Sequence, residues 1–138
     1  MAFNFNLIIE SLPLLLSGAW ITIEITGMSV GIGFLIGMIV SLVRMSSITP
    51  LKWLAKLYVD IIRGTPLLVQ IFIIYFALPR VIGQPINPYV AAVAACSINS
   101  GAYVSEIFRA GLQSVDKVQM EAGRSLGLSW AQTMRFII

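Results

Sequence analysis

One stretch decides the organisation of this chain, residues 121–138: Glu121-Ala-Gly-Arg-Ser-Leu-Gly127-Leu-Ser-Trp-Ala-Gln-Thr-Met-Arg-Phe-Ile-Ile138. Its pattern predicts two short helices that are joined by a turn. Gly127 lies where a helix needs a residue in the left-handed conformation in order to end. Ser129 and Gln132 have the spacing of a capping box, which satisfies free backbone N–H groups at a helix start. We therefore expect a second helix to begin at Ser129.

The first of these two helices is expected over residues 117–126, with Ser114 or Asp116 as its N-cap. Apolar residues recur in it every four positions and therefore share one face. The second helix opens with Trp130, a residue that suits a membrane interface. The pair predicts a surface helix followed by a turn back into a membrane. The shared apolar face consists of Val118, Ala122 and Leu126.

The composition is that of a membrane protein. Hydrophobic residues make up 58% of the chain and charged residues only 11%, whereas a soluble domain has about 25% charged residues. The chain has no histidine, and its single cysteine, Cys96, leaves no disulfide or cysteine cluster to form. The net charge of +3 is too small to indicate a nucleic-acid partner.

The first apolar tract covers residues 12–43 and is long enough to cross a membrane. Pairs of glycines at a spacing of four let helices approach closely in lipid. A row of small or weakly polar residues also shares one side of this tract, which we interpret as a packing face; the alternative is a face that lines a substrate pathway. The row consists of Thr22, Thr26, Ser29, Gly33, Gly37 and Ser41. Glu24 interrupts the tract. It lies either near the outer interface or towards the helix bundle, where an acidic residue would indicate function. The packing pairs are Gly27 with Gly31 and Gly33 with Gly37.

The second span is expected over residues 51–78 as one helix that Pro66 kinks. The proline frees a backbone carbonyl near Ile62, and that carbonyl needs another partner. Polar residues align along this helix, and Asp60 can pair locally with Lys56 and with Arg63. They are either a snorkelling cytoplasmic end or a polar stripe that enters a transport pathway between Arg63 and Gln70. The aligned residues are Lys52, Lys56, Asp60, Arg63 and Gln70.

The third span follows a loop rich in proline and is expected over residues 89–110. It has a small-residue packing face that includes Ser97 and Gly101. Glu106 and Arg109 are three residues apart on a helix and can form an ion pair. The span also carries a polar stripe at helical spacing, made of Asn99, Tyr103, Glu106, Arg109 and Gln113.

The distribution of basic residues predicts the orientation in the membrane. Of the nine Lys and Arg residues, Arg80 alone lies in the loop between the second and third spans. The other eight follow the first or the third span. Because basic residues accumulate on the cytoplasmic side, we expect the N-terminus outside and the loop 114–129 in the cytoplasm.

The opening stretch resembles the cytoplasmic EAA loop of permease subunits in bacterial ABC importers. That pattern reads Glu-Ala-Ala, three residues, Gly, nine residues, Ile, one residue and Leu-Pro. Gly123 replaces the second alanine, a variation similar to that of glutamine-type permeases. Four residues of this chain fall on the pattern: Glu121, Ala122, Gly127 and Ile137.

Two upstream stretches extend the resemblance to permeases for polar amino acids. The segment Arg63-Gly-Thr-Pro-Leu-Leu-Val-Gln70, followed by Ile74-Tyr-Phe-Ala-Leu-Pro79, is similar to their second-helix signature. The segment Asn99-Ser-Gly-Ala-Tyr-Val-Ser-Glu-Ile-Phe-Arg109 is similar to their third-helix signature. With these motifs the resemblance covers the chain from about Leu12 onward.

The resemblance implies an all-α membrane protein with the helix bundle of a type I ABC importer permease, in one transmembrane domain over residues 1–138. We expect three spans at 12–43, 51–78 and 89–110, a coupling loop at 114–129 and a fourth span that begins near 130. The chain stops before the Leu-Pro of the pattern. It is therefore expected to be a truncated permease that is inactive alone.

The resemblance also implies the partners and the cellular location. The importer would contain a second permease subunit, identical or homologous, two cytoplasmic ATPase subunits and an external amino-acid-binding protein. It would lie in the bacterial cytoplasmic (inner) membrane and carry a polar amino acid similar to glutamine. This chain would be a transport subunit and not an enzyme, without a cofactor of its own, because ATP and Mg²⁺ would bind the ATPase.

The same resemblance assigns roles to residues. The coupling loop would dock on the ATPase, with Glu121 making polar contacts and Gly127 permitting the sharp turn. Its residues are Glu121, Ala122, Gly123, Gly127 and Leu128. Candidate residues of the transport pathway are Arg63, Gln70, Asn99, Tyr103, Glu106 and Arg109.

Two other functions fit the composition. An ion-coupled secondary transporter would use Glu24 or Glu106 to carry a proton. A membrane subunit that does not transport would use its polar stripes only to hold partners together. Uptake that depends on protons without an ATPase would indicate the first, and loss of partner binding without loss of transport would indicate the second.

Overall fold

The computed structural model describes residues 5–137, with side chains from residue 8 onward. The described chain consists of helices and short connections. One turn of π-helix, Ile73–Ala77, lies between α3 and α4. The α-helices are α1 (Phe5–Met45), α2 (Thr49–Gly64), α3 (Leu67–Phe72), α4 (Leu78–Ile82), α5 (Pro88–Ser114), α6 (Lys117–Ser125) and α7 (Trp130–Phe136).

The contact between α1 and α5 is the largest in the molecule. The two helices run in the same direction, because Gly33 lies against Ser100 and Gly37 lies against Val104. A Cβ atom at either glycine would come within 2.6 Å of a side-chain carbon of α5. Gly101 completes the contact from α5, where an added Cβ would lie 2.6 Å from Ile36. Small residues thus allow the close approach that dispersion forces need in lipid.

Gly27 and Gly31 take no part in this contact. No atom of another part of the described chain lies within 4 Å of a Cβ built at either residue. Each residue turns an α-helix by about 100°, so the pair at Gly33 and Gly37 is rotated by about 240° from this first pair. The packing role of Gly27 and Gly31 therefore stays a prediction, because the two glycine pairs lie on different sides of α1 and the described chain packs only on the side of Gly33 and Gly37.

The second span differs from the expected single kinked helix over 51–78. The chain turns by 107° between α2 and the segment Leu67–Ile82, at a break next to Pro66. Thr65 is extended there, with φ −118° and ψ 144°, as expected for a residue that precedes proline. The helix is interrupted and not merely kinked. Gln70 therefore does not continue the polar stripe of α2.

Helices α1 and α5 are long and apolar enough to cross a membrane, and the bent pair could add one more crossing. Both helices extend beyond the apolar stretches at 12–43 and 89–110. At the start of α5, the side chain of Asn87 accepts a hydrogen bond from the Tyr89 N–H at 2.8 Å. Pro88 occupies the first turn, where its missing N–H costs nothing.

Helices α6 and α7 form a hairpin as expected. Asp116, one of the two predicted caps, accepts from the Val118 N–H at 3.0 Å. The capping box at the start of α7 is confirmed, because the Gln132 N–H donates to Ser129 Oγ at 3.2 Å. In return, the Ser129 N–H donates to Gln132 Oε1 at 2.8 Å. The left-handed conformation of Gly127 is also confirmed, with φ +85°.

Replacing Gly37 by alanine should loosen the contact between α1 and α5. The new methyl group would meet Val104 and, at 2.9 Å, the backbone oxygen of Gly101, and such overpacking costs about 1–3 kcal/mol. We expect a lower thermal unfolding midpoint for the assembled membrane complex in detergent. Gly31→Ala is the matched control, because within the described residues its methyl group meets no atom inside 4 Å and it gains helix propensity of about 0.5–1 kcal/mol. Equal midpoints for the two variants would contradict the packing role of Gly37.

Candidate functional site

The structure brings the six candidate pathway residues together in two groups, both on the side of α5 that meets α1, α2 and α3. One group surrounds the carboxylate of Glu106, and the other surrounds the side-chain amide of Gln70. The first group contains Arg63, Tyr103, Glu106 and Arg109, and the second contains Gln70 and Asn99.

Glu106 contacts three arginines from three helices. Arg44 Nη1 of α1 donates to Glu106 Oε1 at 2.6 Å. Arg109, one turn further along α5, donates to Glu106 Oε2 from Nη2 at 2.7 Å and from Nε at 2.9 Å. Arg63 Nη1 of α2 lies 3.6 Å from Glu106 Oε1. The Arg63 guanidinium also lies 5.2 Å from the centre of the Tyr103 ring, within cation–π range.

The centre of this charged group is shielded from solvent, whereas the side chains of Arg109 and Arg63 are 33% and 44% exposed. The side chains of Arg44 and Glu106 are only 11% and 19% exposed. Charged hydrogen bonds are short and strong, and the two-point contact from Arg109 also fixes the orientation of the carboxylate. Removing Glu106 would leave several partly desolvated positive charges without their counter-charge. We name the set Arg44, Arg63, Glu106 and Arg109 the Glu106 junction; it links α1, α2 and α5.

Sequence reasoning identified the Glu106–Arg109 pair but missed Arg44. The pair is local, at a spacing of three residues, whereas Arg44 is 62 residues from Glu106. The only signal for Arg44 was a basic residue in the last turn of a long apolar helix. The expected pairing of Asp60 with Lys56 and Arg63 is corrected: over residues 8–137 Asp60 has no ion pair within 4.0 Å, because Arg63 turns to Glu106 instead.

The Gln70 side chain closes the helix break at Pro66. Its Nε2 donates to the Ile62 carbonyl at 2.8 Å and lies within hydrogen-bond distance of the Thr65 carbonyl, at 3.1 Å, and Thr65 Oγ1, at 2.9 Å. Asn99 Nδ2 of α5 donates to Gln70 Oε1 at 3.2 Å. The prediction that the carbonyl near Ile62 needs another hydrogen-bond donor is thus confirmed. The donor is Gln70, which is 8% exposed.

The hairpin of α6 and α7 holds the predicted coupling residues. The Leu128 N–H donates to the Gly123 carbonyl at 3.2 Å, and the Gly127 N–H donates to the Arg124 carbonyl at 3.0 Å. These two bonds form a Schellman motif, which ends α6 with satisfied carbonyls. Gly123 is buried against α7, where an added Cβ would lie 2.7 Å from Thr133 Cγ2.

The opposite side of α6 is open. Val118 and Leu126 are 62% and 81% exposed, and Glu121 and Ala122 are also exposed. Large exposed apolar residues beside a carboxylate, on a hairpin that is closed internally, are typical of a surface for a protein partner. Among the described residues, no group of three or more His, Cys, Asp or Glu side chains could hold a metal ion.

Apolar helices that can cross a membrane, a charged junction between them and a hairpin with an open face define the class of helical membrane proteins with a surface for a protein partner. The chain belongs to the family described as binding-protein-dependent transport system inner membrane component, which matches residues 29–138.

The chain is similar to several amino-acid permeases. It is 41% identical over 138 residues to the arginine transport system permease protein ArtQ of Bacillus subtilis, covering 100% of this chain and 63% of ArtQ. It is 47% identical over 136 residues to the probable amino-acid ABC transporter permease protein YckA of the same organism, covering 99% of this chain and 60% of YckA. The glutamine transport system permease protein GlnP of Escherichia coli K12 is 39% identical over 139 residues, with coverage of 100% and 64%.

A crystal structure described as that of an amino acid ABC transporter with histidines has the same fold. It superimposes with a TM-score of 0.89 at 46% identity, over 99% of this chain and 63% of that chain. The chain therefore spans between 60% and 64% of the length of these relatives.

Neutralising Glu106 should weaken the junction between α1, α2 and α5. We expect Glu106→Gln to lower the stability of the assembled complex by about 1–3 kcal/mol, because charged donors lose their acceptor in a partly buried site. Thermal unfolding in detergent measures this loss. Gln113→Ala is the control, since Gln113 accepts a bond of 2.6 Å from Arg109 but is exposed. Equal midpoints for both variants would contradict the structural role of Glu106.

Removing the amide of Gln70 should destabilise the helix break. Gln70→Leu keeps a similar volume but leaves the Ile62 and Thr65 carbonyls without this donor, at a cost of about 1–3 kcal/mol for a buried unsatisfied group. Gln70→Glu tests the chemistry separately, because a carboxylate cannot donate to a carbonyl. We expect both variants to show faster hydrogen exchange over residues 61–65 than the wild type. Unchanged exchange in both would contradict the account.

Proposed function

We propose that this chain is the membrane-spanning permease subunit of an ATP-driven importer that carries a polar amino acid, similar to glutamine, across the bacterial cytoplasmic membrane. The family and the amino-acid permeases among its relatives support the class of substrate. The observation that carries the proposal is the hairpin of α6 and α7, which is closed by internal hydrogen bonds and packing and has an open, amphipathic outer face.

The hairpin suits a docking role because its stability does not depend on the outer face. The Schellman motif, the capping box and the contact of Gly123 with Thr133 are all internal. The exposed side chains of Val118, Ala122 and Leu126 are therefore free to enter a groove on an ATPase subunit. Glu121 lies on the same surface and supplies a charge for polar contacts. ATP and Mg²⁺ bind the ATPase, and an external binding protein delivers the amino acid.

The docked hairpin is connected to the membrane helices by a short link. Only Val115 and Asp116 separate α5 from α6, so displacement of α6 pulls on the end of α5. The Glu106 junction passes this displacement to α1 and α2. The break at Pro66 lets α2 move relative to the segment Leu67–Ile82. In this way ATP-driven closure of the ATPase pair alternates the access of a site within the membrane.

Reversing the charge of Glu121 tests this function. In the assembled importer, we expect Glu121→Lys to reduce the amount of ATPase retained after detergent extraction and to lower amino-acid uptake at least tenfold, which corresponds to about 1.4 kcal/mol. The fold should be unchanged because Glu121 is exposed. The matched control is Gln119→Lys, an exposed position on another side of α6. If Glu121→Lys retains the ATPase and transports as the wild type does, α6 is not the coupling helix.

The bias of basic residues supports an orientation with the N-terminus outside and α6 in the cytoplasm. A cysteine introduced at Gln84, in the exposed loop before α5, should react with a membrane-impermeant maleimide in intact cells. A cysteine at Gln119 should react only after the membrane is made permeable. Both positions are exposed in the structure, so differences in burial do not explain the pattern. The reverse labelling pattern would contradict this orientation.

A further inference from the structure

Helix α2 has three distinct sides. One side packs on the bundle, where Ala55 and Val59 are buried and the Tyr58 hydroxyl donates to the Ile98 carbonyl of α5 at 2.6 Å. A second side carries the charged residues Lys52, Lys56, Asp60 and Arg63. The third side is apolar and open, with Trp53, Leu54, Leu57 and Ile61 exposed by 62%, 56%, 39% and 52%.

The direction of α2 differs from that of the segment that follows it. Because the two meet at 107°, they cannot both run along the membrane normal. The segment Leu67–Ile82 has Arg80 as its only charged residue and is roughly 24 Å long as a helix, so it suits the hydrocarbon layer. Helix α2 has four charged residues in 16 and does not suit it. The exposed apolar side nevertheless indicates a contact other than water on that side.

We propose that α2 is an interfacial helix that lies on the cytoplasmic face of the membrane and binds anionic phospholipids there. This proposal rests on the proposed orientation. The apolar side enters the boundary of the acyl chains, as in amphipathic helices that lie in the membrane plane. Lys52 and Lys56 reach the phosphate groups of the headgroups. Trp53 lies between the charged and apolar sides, which is the position that indole prefers at an interface.

The charge of α2 indicates that its partner is an anionic membrane surface. The charged side of α2 has three basic residues against Asp60 alone, so its net charge is positive. Arg63 is engaged with Glu106 at the inner end of the helix, which leaves Lys52 and Lys56 for the headgroups. Phosphatidylglycerol supplies the matching negative charge, and attraction of this kind acts on each basic residue near the surface.

Spin-label accessibility tests the location of α2. In the assembled importer in lipid nanodiscs, with Cys96 replaced by serine, one label is placed at Leu57, Lys56 or Val59 in turn. We expect the label at Leu57 to collide with oxygen, which concentrates in lipid, and the label at Lys56 to collide with a water-soluble nickel complex. The label at Val59 should meet little of either reagent. A label at Leu57 that is shielded from both reagents, or that collides mainly with nickel, would overturn the proposal.

Lipid retention tests the charge requirement. The importer is purified from vesicles of phosphatidylcholine and phosphatidylglycerol, and the phosphatidylglycerol retained per importer is measured by mass spectrometry. The variants are Lys52→Gln, Lys56→Gln and the double variant. We expect the loss of each lysine to reduce the retention of phosphatidylglycerol roughly fivefold. Asp60→Asn is the control on the same side and should retain at least as much as the wild type. Equal retention by all variants would overturn the anionic-lipid site.

These outcomes are separable from failure of the proposed function. Accessibility and lipid retention require no uptake, and they do not depend on the docking face of α6. A result in which Glu121→Lys couples normally while Leu57 is in lipid would reject the coupling role and keep the lipid contact. The opposite result would reject the lipid contact and keep the importer function.

Discussion

The close approach of α1 and α5 is the constraint on which the rest of the structure depends. Gly33, Gly37 and Gly101 have no side chain at the contact, and the space they leave is too small for a Cβ. This approach brings the end of α1 beside Glu106, so that Arg44 reaches the carboxylate at 2.6 Å. Arg63 then ties α2 to the same group. The Glu106 junction therefore depends on the packing of α1 against α5, and through Arg63 it adds α2 to that contact.

The helix break shows how a local rule and a tertiary contact combine. Proline at position 66 removes a donor, and that loss was readable from the sequence because it is a property of one residue. The angle of 107° between α2 and the segment Leu67–Ile82 could not be predicted from the sequence, because it depends on the tertiary contact between Gln70 and Asn99. The Gln70 amide supplies a donor for the freed carbonyl and also joins the break to α5. Its place in an apolar stretch was the available signal, since a buried amide needs partners.

The same distinction separates the predicted features from the missed ones. Gly127, the Ser129 capping box and the Glu106–Arg109 pair all depend on neighbours within four residues, so the sequence alone predicted them. The Arg44–Glu106 bond depends on packing between helices and could not be predicted. Residues 51–64 were predicted to belong to the second span, because the hydropathy pattern does not show where a helix changes direction. Gly27 and Gly31 match the small-residue pattern, but that pattern does not identify the partner of each pair.

The central claim is that α6 is the contact through which this permease subunit meets an ATPase. A photo-reactive benzoyl-phenylalanine at Val118, in the importer assembled in native membranes, tests it directly. Val118 is 62% exposed, and Ile107 of α5, which is 70% exposed, is the matched control within the apolar bundle. The account predicts a covalent product with the ATPase subunit from position 118 and none from position 107. No product from position 118, in an importer that still hydrolyses ATP and transports, would contradict it.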